Sequence, residues 1–71
     1  MRVFIFVSNI NTEADIHKLK RQFDQRRDIA DWSVDLSDEE KVLRVVTGTL
    51  ERPEVIALVR SCGYDCHKMD W

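Results

Sequence analysis

The sequence is poor in three residue types that often reveal a scaffold or a site. Its 71 residues include two cysteines, two glycines and one proline. Cys62 and Cys66 are too few and too close in sequence to form a disulfide framework. With two isolated glycines, the chain also lacks a glycine-rich loop of the kind that cradles phosphate. A disulfide-stapled scaffold and a phosphate-loop nucleotide site are therefore excluded.

Long apolar runs and an excess of positive charge are also missing. No run approaches the roughly 20 apolar residues that span a bilayer, so no membrane partner is expected. The net charge of −2 argues against nucleic acid as the main partner. Basic side chains are concentrated in residues 17–27 and acidic ones in residues 31–40, which is typical of solvated faces.

The first residues of the chain are apolar but do not have the pattern of a signal peptide. Residues 1–7 are followed at once by polar Ser8 and Asn9, and no small-residue cleavage site comes after them. We interpret this segment as a strand, and a cytoplasmic location is the default expectation that remains.

What the chain does contain is the composition of one small globular domain, residues 1–71. Hydrophobic residues make up 44% and charged residues 34%, which is typical of folded proteins. A chain of this length buries only about 60% of its unfolded surface, so it forms a thin core without a deep cleft. No Ser/His/Asp or Cys/His nucleophile arrangement can be assembled from it either. We therefore expect a protein that is not an enzyme.

Four segments have the composition or the alternation of strands. Residues 2–7 are rich in β-branched and aromatic types without a turn former, which suits a strand with two apolar faces. Residues 32–36 alternate apolar and polar side chains and predict a second strand. Residues 41–47 predict a third strand, and residues 64–71 leave room for a fourth.

Two segments between these strands carry helix signals. Thr12 and Asp15 have the spacing of a capping box, in which each side chain bonds the backbone N–H of the other residue. Apolar residues at helical spacing then continue to about Arg27. A second helix is predicted to start near Pro53, which suits a first turn, and to stop at Gly63, which accepts a left-handed conformation.

The order strand, helix, strand, strand, helix, strand has few compact solutions. Right-handed crossovers place both helices on one face of a four-stranded antiparallel sheet, in the spatial order 4-1-3-2. The sequence therefore predicts an α+β fold, a ferredoxin-like βαββαβ two-layer sandwich. The loop after the first strand, the hairpin and the turn at residues 62–64 should then lie at one end of the domain.

In layout and spacing the chain resembles the heavy-metal-associated domain of copper chaperones and copper-pumping ATPases, over nearly its whole length. The matching features are the loop 9–11, the core positions Leu19 and Phe23, the hairpin segments 34–36 and 42–46, and the pair Gly63-Tyr64. In that family the loop carries Met-x-Cys-x-x-Cys, whose two thiolates bind Cu(I) and leave room for a partner's thiolate to take it.

This sequence lacks the metal-binding motif of the family that it resembles. Ile10 stands at the position of the methionine, and Thr12 and Asp15 stand at the positions of the two cysteines. A hydroxyl and a carboxylate are hard oxygen donors and cannot hold Cu(I) in this way. No metal or other cofactor is therefore expected, and Thr12 and Asp15 are interpreted as a helix cap.

Other side chains leave a runner-up hypothesis open. A divergent copper or zinc carrier would use Cys62 and Cys66, although both are expected to point into the core, where small buried cysteines are common. A disulfide between them is a further alternative. Oxygen ligands around residues 9–15 lack both the glycine and the ligand number that calcium sites need.

The side of the sheet without helices is the predicted interaction surface. If Val3, Ile5 and Val7 point at the helices, Phe4 and Phe6 point outward. The expected surface residues are Phe4, Phe6, Val42, Val46, Met69 and Trp71. An apolar surface of this extent favours a protein partner or a homodimer over a free monomer.

Two other interpretations bear on the same surface. The register of the first strand could be inverted, with Phe4 and Phe6 in the core, and residues 69–71 could fray. Outward aromatics would also resemble RNA-recognition domains, but those need a second aromatic pair on strand three, where residues 42–46 have none. The preferred hypothesis is therefore a non-enzymatic protein-interaction module that kept the fold and lost the thiolate site.

Overall fold

The computed structural model describes residues 1–69 and contains six elements in the predicted order. They are β1 (Arg2–Ser8), α1 (Glu13–Phe23), β2 (Ile29–Asp35), β3 (Val42–Thr47), α2 (Arg52–Ser61) and β4 (Cys66–Lys68). Helix α1 ends at Phe23 rather than at Arg27, since residues 24–28 have no apolar side chain to hold a further turn against the core. Residues 70–71 of the predicted fourth strand lie outside the described residues.

The four strands form one sheet in which every neighbouring pair is antiparallel. The strand order is β2-β3-β1-β4. The predicted order 4-1-3-2 starts from the opposite edge of the sheet and has the same neighbouring strands. Strands β1 and β3 are therefore central, while β2 and β4 are the edges. The predicted α+β class with a four-stranded antiparallel sheet agrees with this arrangement.

Both helices pack on the same face of the sheet, where they enclose the core. One cluster joins the buried side chains Phe4, Phe6, Leu43 and Val45 of the central strands to Leu19, Phe23, Val55 and Val59 of the helices. Burying a large side chain of this kind stabilises a fold by about 1.5–3 kcal/mol. Trp32 of the edge strand β2 closes one side of the cluster, with its ring in edge contact with Phe23 at 5.0 Å between centroids.

The register of β1 is opposite to the preferred prediction. Phe4 and Phe6 are 8% and 0% exposed in the core, and Val3 is 49% exposed on the other face. The expectation that Val3, Ile5 and Val7 face the helices is therefore wrong, and the inverted alternative is correct. The physical reason is size, because β1 is apolar on both faces and aromatic rings remove more apolar area from water than the aliphatic side chains do.

The three connections that were expected at one end of the domain meet there. The Ser8 N–H donates to the Glu40 carbonyl over 3.1 Å, which joins the end of β1 to the hairpin. The Asn9 N–H donates to the Asp65 carbonyl over 3.2 Å, and the Asp65 N–H donates to the Asn9 Oδ1 over 2.9 Å. These bonds fasten the loop after β1 to both neighbouring connections.

Helix α2 follows its predicted start and stop signals. Pro53 lies in the first turn, where its missing N–H leaves no intrahelical bond unmade. Gly63 follows the helix with a φ of +90°, a conformation that a residue with a Cβ rarely adopts. In the described part of the chain, neither helix has the length and apolarity that crossing a membrane would require.

Candidate functional site

The segment from Ile10 to Asp15 holds the three positions that the resemblance aligns with the metal motif of the heavy-metal-associated family, and here this segment leads into helix α1. The Asp15 N–H donates to the Thr12 Oγ1 over 3.1 Å, and the Thr12 N–H donates to the Asp15 Oδ2 over 3.1 Å. The predicted capping box is thereby confirmed. Ile10, at the position of the methionine, is fully buried in the core. All three side chains thus serve the fold.

The Asp15 carboxylate accepts further hydrogen bonds that local sequence patterns do not reveal. The Asn11 N–H donates to Oδ2 over 3.1 Å, and the Tyr64 hydroxyl donates to Oδ1 over 2.6 Å. Tyr64 is 49 residues away along the chain, so no helix or turn signal pairs it with Asp15. With donors from Asn11, Thr12 and Tyr64, the carboxylate has little acceptor capacity left for a cation.

The bond between Tyr64 and Asp15 changes the acidity of both groups. It is the largest influence that lowers the pKa of the Asp15 carboxyl, and it raises the pKa of Tyr64 to about 12. The lowered pKa of Asp15 favours folding above the unfolded value of about 4, and this contribution is lost as the pH falls through the folded pKa. The raised pKa of Tyr64 favours folding fully below the unfolded value of about 10, and this contribution is lost as the pH rises through the folded value of about 12.

Removing the charged acceptor should lower the pKa of Tyr64 toward its ordinary value. Because Tyr64 is the single tyrosine of the chain, the ultraviolet absorbance of tyrosinate against pH reports its pKa directly. We expect a midpoint of about 12 in the folded protein. For Asp15→Asn we expect a midpoint that falls from there toward about 10, since an uncharged amide oxygen holds the phenol proton less tightly while the burial of Tyr64 remains. The neighbouring exposed change Asp65→Asn should leave the midpoint in place, and an ordinary midpoint in the unchanged protein would contradict the bond.

The two cysteines are free thiols that belong to the core. Cys66 is buried on the side of β4 that faces the helices, and this burial raises the pKa of its thiol to about 11. Cys62 follows α2 and is half-buried against the same cluster. Metals bind the thiolate, so a thiol that burial keeps protonated is a poor ligand. The disulfide considered as an alternative is not formed.

Metal ligands do not converge elsewhere in the part of the chain that the structure describes. Within residues 1–69, no three side chains of His, Cys, Asp or Glu are grouped so that they could hold an ion. His67 is exposed and alternates with buried Cys66 along β4, so it lies on the opposite face of the sheet, as predicted. The hypothesis of a copper or zinc carrier that uses Cys62 and Cys66 stays a prediction without a preformed site.

The sheet side without helices carries the apolar side chains that the register of β1 turns outward. We call this side the open face and define it by Val3, Ile5, Val7, Val42, Val46 and Met69. Val42 and Val46 alternate with buried residues of β3 and are half-buried on this side, where the sequence analysis placed them. Met69 is half-buried beside β1, and its N–H donates to the Ile5 carbonyl over 3.3 Å.

Other predicted members of the interaction surface lie elsewhere. Phe4 and Phe6 belong to the core, and Trp71 lies outside the described residues. Sequence reasoning assigned Val3, Ile5 and Val7 to the core instead of to the open face. Side-chain volume would have shown which set of β1 residues is buried. The larger phenylalanine side chains lie in the core, and the smaller aliphatic ones lie on the open face.

Charged side chains lie within and beside the apolar strip of the open face, with Arg44 between Val42 and Val46 on β3. Arg44 of β3 lies beside Asp31 of β2, with 3.8 Å between its Nη1 and the Asp31 Oδ2. A groove of about 390 Å³ crosses the open face from the hairpin to Met69, and Asp35 and Arg44 both line it. The groove is shallow and open, which suits contact with another surface better than enclosure of a small molecule.

A second groove, of about 440 Å³, lies between α1 and the edge strand β2. Its polar rim is already paired, since the Lys20 Nζ donates to the Asp24 Oδ2 over 2.7 Å and the Trp32 Nε1 donates to the Asp24 Oδ1 over 3.4 Å. The Asp24 pKa is lowered by these partners, first by Lys20. These paired groups have little capacity left to recognise a ligand.

The resemblance to the heavy-metal-associated domain concerns the layout of elements, and one layout of this kind serves many unrelated functions. At the positions that would give the resemblance a function, Thr12 and Asp15 cap a helix. Membership of that family therefore stays a prediction. No protein-family model matches the chain, and a comparison with curated proteins finds no match either.

Proposed function

We propose that this chain is a non-enzymatic protein-interaction module that binds another protein molecule through the open face. The observation that carries the proposal is the apolar strip on the two central strands. Among residues 1–69, both helices pack on the opposite side of the sheet and leave this strip uncovered. Val3 is 49% exposed and the other members of the open face are half-buried, and apolar surface shared by neighbouring strands is typical of an association site.

The chemistry of the open face indicates what a partner must offer. The aliphatic side chains have no polar atoms, so they recognise a matching apolar surface by shape. Arg44 lies within the strip and pairs with Asp31 at its β2 side, and Asp35 adds a carboxylate near the hairpin. A complementary partner therefore has an apolar centre and at least one group that can bond a carboxylate at its rim.

A photoreactive benzoylphenylalanine at position 46 should capture the partner in cells that make the protein. We expect a small set of defined adducts, because Val46 lies on the open face. The same group at position 57, in place of the exposed Ala57 of α2, is the matched control and should give none of them. Adding Ile5→Lys should abolish the adducts, since it places a charge at the centre of the strip.

The fold of the Ile5→Lys variant is checked separately by circular dichroism. A lysine at this position can direct its ammonium group to water along the open face, so the sheet should be retained. Equal adducts from positions 46 and 57, or adducts that persist in a folded Ile5→Lys variant, would contradict the proposal.

A further inference from the structure

The open face presents its side chains in rows that run across the strands. Asp35 of β2 pairs with Val42 of β3, and Val7 of β1 pairs with His67 of β4. The register of β1 on β3 places Val7 next to Val42. The first row therefore reads, from β2 to β4, Asp35, Val42, Val7 and His67.

The other two rows follow from the same pairings. Ser33 and Ile5 both pair with Arg44, and Asp31 and Val3 both pair with Val46. Met69 extends the second row through its hydrogen bond to β1. The second row reads Ser33, Arg44, Ile5 and Met69, and the third begins with Asp31, Val46 and Val3.

Charge is distributed unequally between the two edges of these rows. The β2 edge carries the carboxylates of Asp31 and Asp35, and the β4 edge carries the exposed imidazole of His67. The Asp35 carboxylate is held in place, because its Oδ1 accepts from the Ser37 N–H over 3.1 Å and from the Ser37 hydroxyl over 2.6 Å. Arg44 lies in the middle row on the central strand β3, and its guanidinium is beside Asp31.

A second copy can be stacked on this face in two ways that keep twofold symmetry and aligned strands. An axis perpendicular to the strands places Asp35 against the partner's Asp31 and Arg44 against the partner's Arg44. An axis parallel to the strands reverses each row, so that Asp35 faces the partner's His67 and Val42 faces the partner's Val7. Juxtaposed like charges disfavour the first arrangement by several kcal/mol, and the second has none among these residues.

We propose that the open face binds a second copy of this chain, stacked about a twofold axis parallel to the strands, with each Asp35 against the partner's His67. The proposal rests on the proposed function and specifies its partner. The imidazole donates to the carboxylate in either protonation state, since the neutral ring also keeps one N–H. Val42 against the partner's Val7 then adds an apolar contact, and Arg44 lies against the partner's Ile5 in the middle row.

The size of the open face limits the strength of such a dimer. Three strands about 20 Å long and β4 of about 10 Å, spaced by about 4.8 Å, present roughly 340 Å² per copy, or roughly 700 Å² in total. Stable interfaces of standard size bury about 1,200–2,000 Å². We therefore expect a weak, concentration-dependent dimer with a Kd on the order of 100 μM.

Two charge variants, measured alone and mixed, test this stacking. In the His67→Glu dimer, the new glutamate of each copy would lie against the partner's Asp35, which gives two repulsive contacts. Sedimentation should therefore show association weakened by about tenfold. Asp35→Lys should also weaken it, because the acceptor for the partner's His67 is gone. An equimolar mixture should dimerise more strongly than either variant alone, since the heterodimer combines one new lysine–glutamate pair with one native pair.

Control variants separate this stacking from effects on the fold. Asp35→Asn keeps an oxygen that accepts from Ser37, and it should weaken the dimer even if Asp35→Lys disturbs the hairpin. Glu39→Lys changes an exposed hairpin residue outside the rows and should leave association unchanged.

Four results would overturn the proposed dimer or its orientation. The first is an unchanged protein that remains monomeric at about 1 mM, well above the expected Kd. The second is a mixture that associates no more strongly than its components. The third is loss of the dimer in Ile5→Lys without any gain on mixing, which would leave the open face as the interface but reject this orientation. Adducts of position 46 with a different protein, alongside a monomeric pure protein, would overturn the second copy and keep the proposed function.

Discussion

Replacing Phe6 with alanine should lower the free energy of unfolding by about 3–5 kcal/mol. Phe6 is fully buried in the central strand β1, opposite Leu43 and with its ring centroid 6.4 Å from that of Phe4. Truncation removes the ring from the core and leaves a cavity between a sheet and two helices. Such a loss is a large part of the roughly 5–15 kcal/mol that stabilises a typical domain, and urea unfolding followed by circular dichroism measures it.

The matched control for this substitution is Ile5→Ala in the same strand. Ile5 is half-buried on the open face, so its truncation should lower the free energy of unfolding by only about 1 kcal/mol. If the two variants lost equal stability, or if Ile5→Ala lost more, the two faces of β1 would be assigned the wrong way round. The comparison is made at low micromolar concentration, where the proposed dimer is dissociated.

Replacing Thr47 with valine should lower the free energy of unfolding by about 3 kcal/mol. Thr47 is a fully buried polar residue at the end of β3. Its hydroxyl donates to the Asp28 carbonyl and accepts from the Leu50 N–H over 3.1 Å and from the Thr49 N–H over 3.3 Å. Valine has nearly the same shape but leaves these backbone groups without their partner, and denaturant unfolding measures the loss.

Two other threonine changes show whether the hydroxyl is responsible. Thr47→Ser keeps the oxygen and loses one methyl group, so it should cost clearly less than Thr47→Val. Thr49→Val alters an exposed side chain and should stay within about 0.5 kcal/mol of the unchanged protein. A Thr47→Val variant as stable as Thr47→Ser would show that the three bonds contribute little.

The order of the elements and the helix boundaries were predictable where their signals are local. Thr12 and Asp15 form their cap within one turn of α1, and Gly63 ends α2 through its own backbone conformation. The antiparallel sheet then follows from the short connections and from the handedness of the crossovers. These features need no knowledge of distant contacts.

The register of β1 was not predictable from alternation alone. Both of its side-chain sets are apolar, so a period of two identifies the sets without showing which one is buried. The choice depends on the volume that the helices leave above the sheet, and Phe4 and Phe6 fill that volume. In β3 the choice was clear, because Arg44 shares a face with Val42 and Val46 and marks it as the outer one.

In the candidate site, too, features that depend on neighbouring residues were predictable, and features that depend on distant residues were not. Alternation in β3 was enough to place Val42 and Val46 on the open face. The bond of Tyr64 to Asp15 and the row that joins Asp35 to His67 depend on strands brought together by the fold. Patterns along the chain carry no signal for contacts at such separations.

The shortness of β4 has a consequence for how the domain opens. This edge strand comprises Cys66–Lys68 and pairs with β1 alone, and weakly paired edges are the first elements to separate in local unfolding. Tyr64 leads into β4 and donates to Asp15, so its departure would withdraw a donor from the start of α1. The same opening would expose the thiol of Cys66. Opening of the last strand is therefore linked to the start of the first helix through the bond of Tyr64 to Asp15, although 49 residues separate the two.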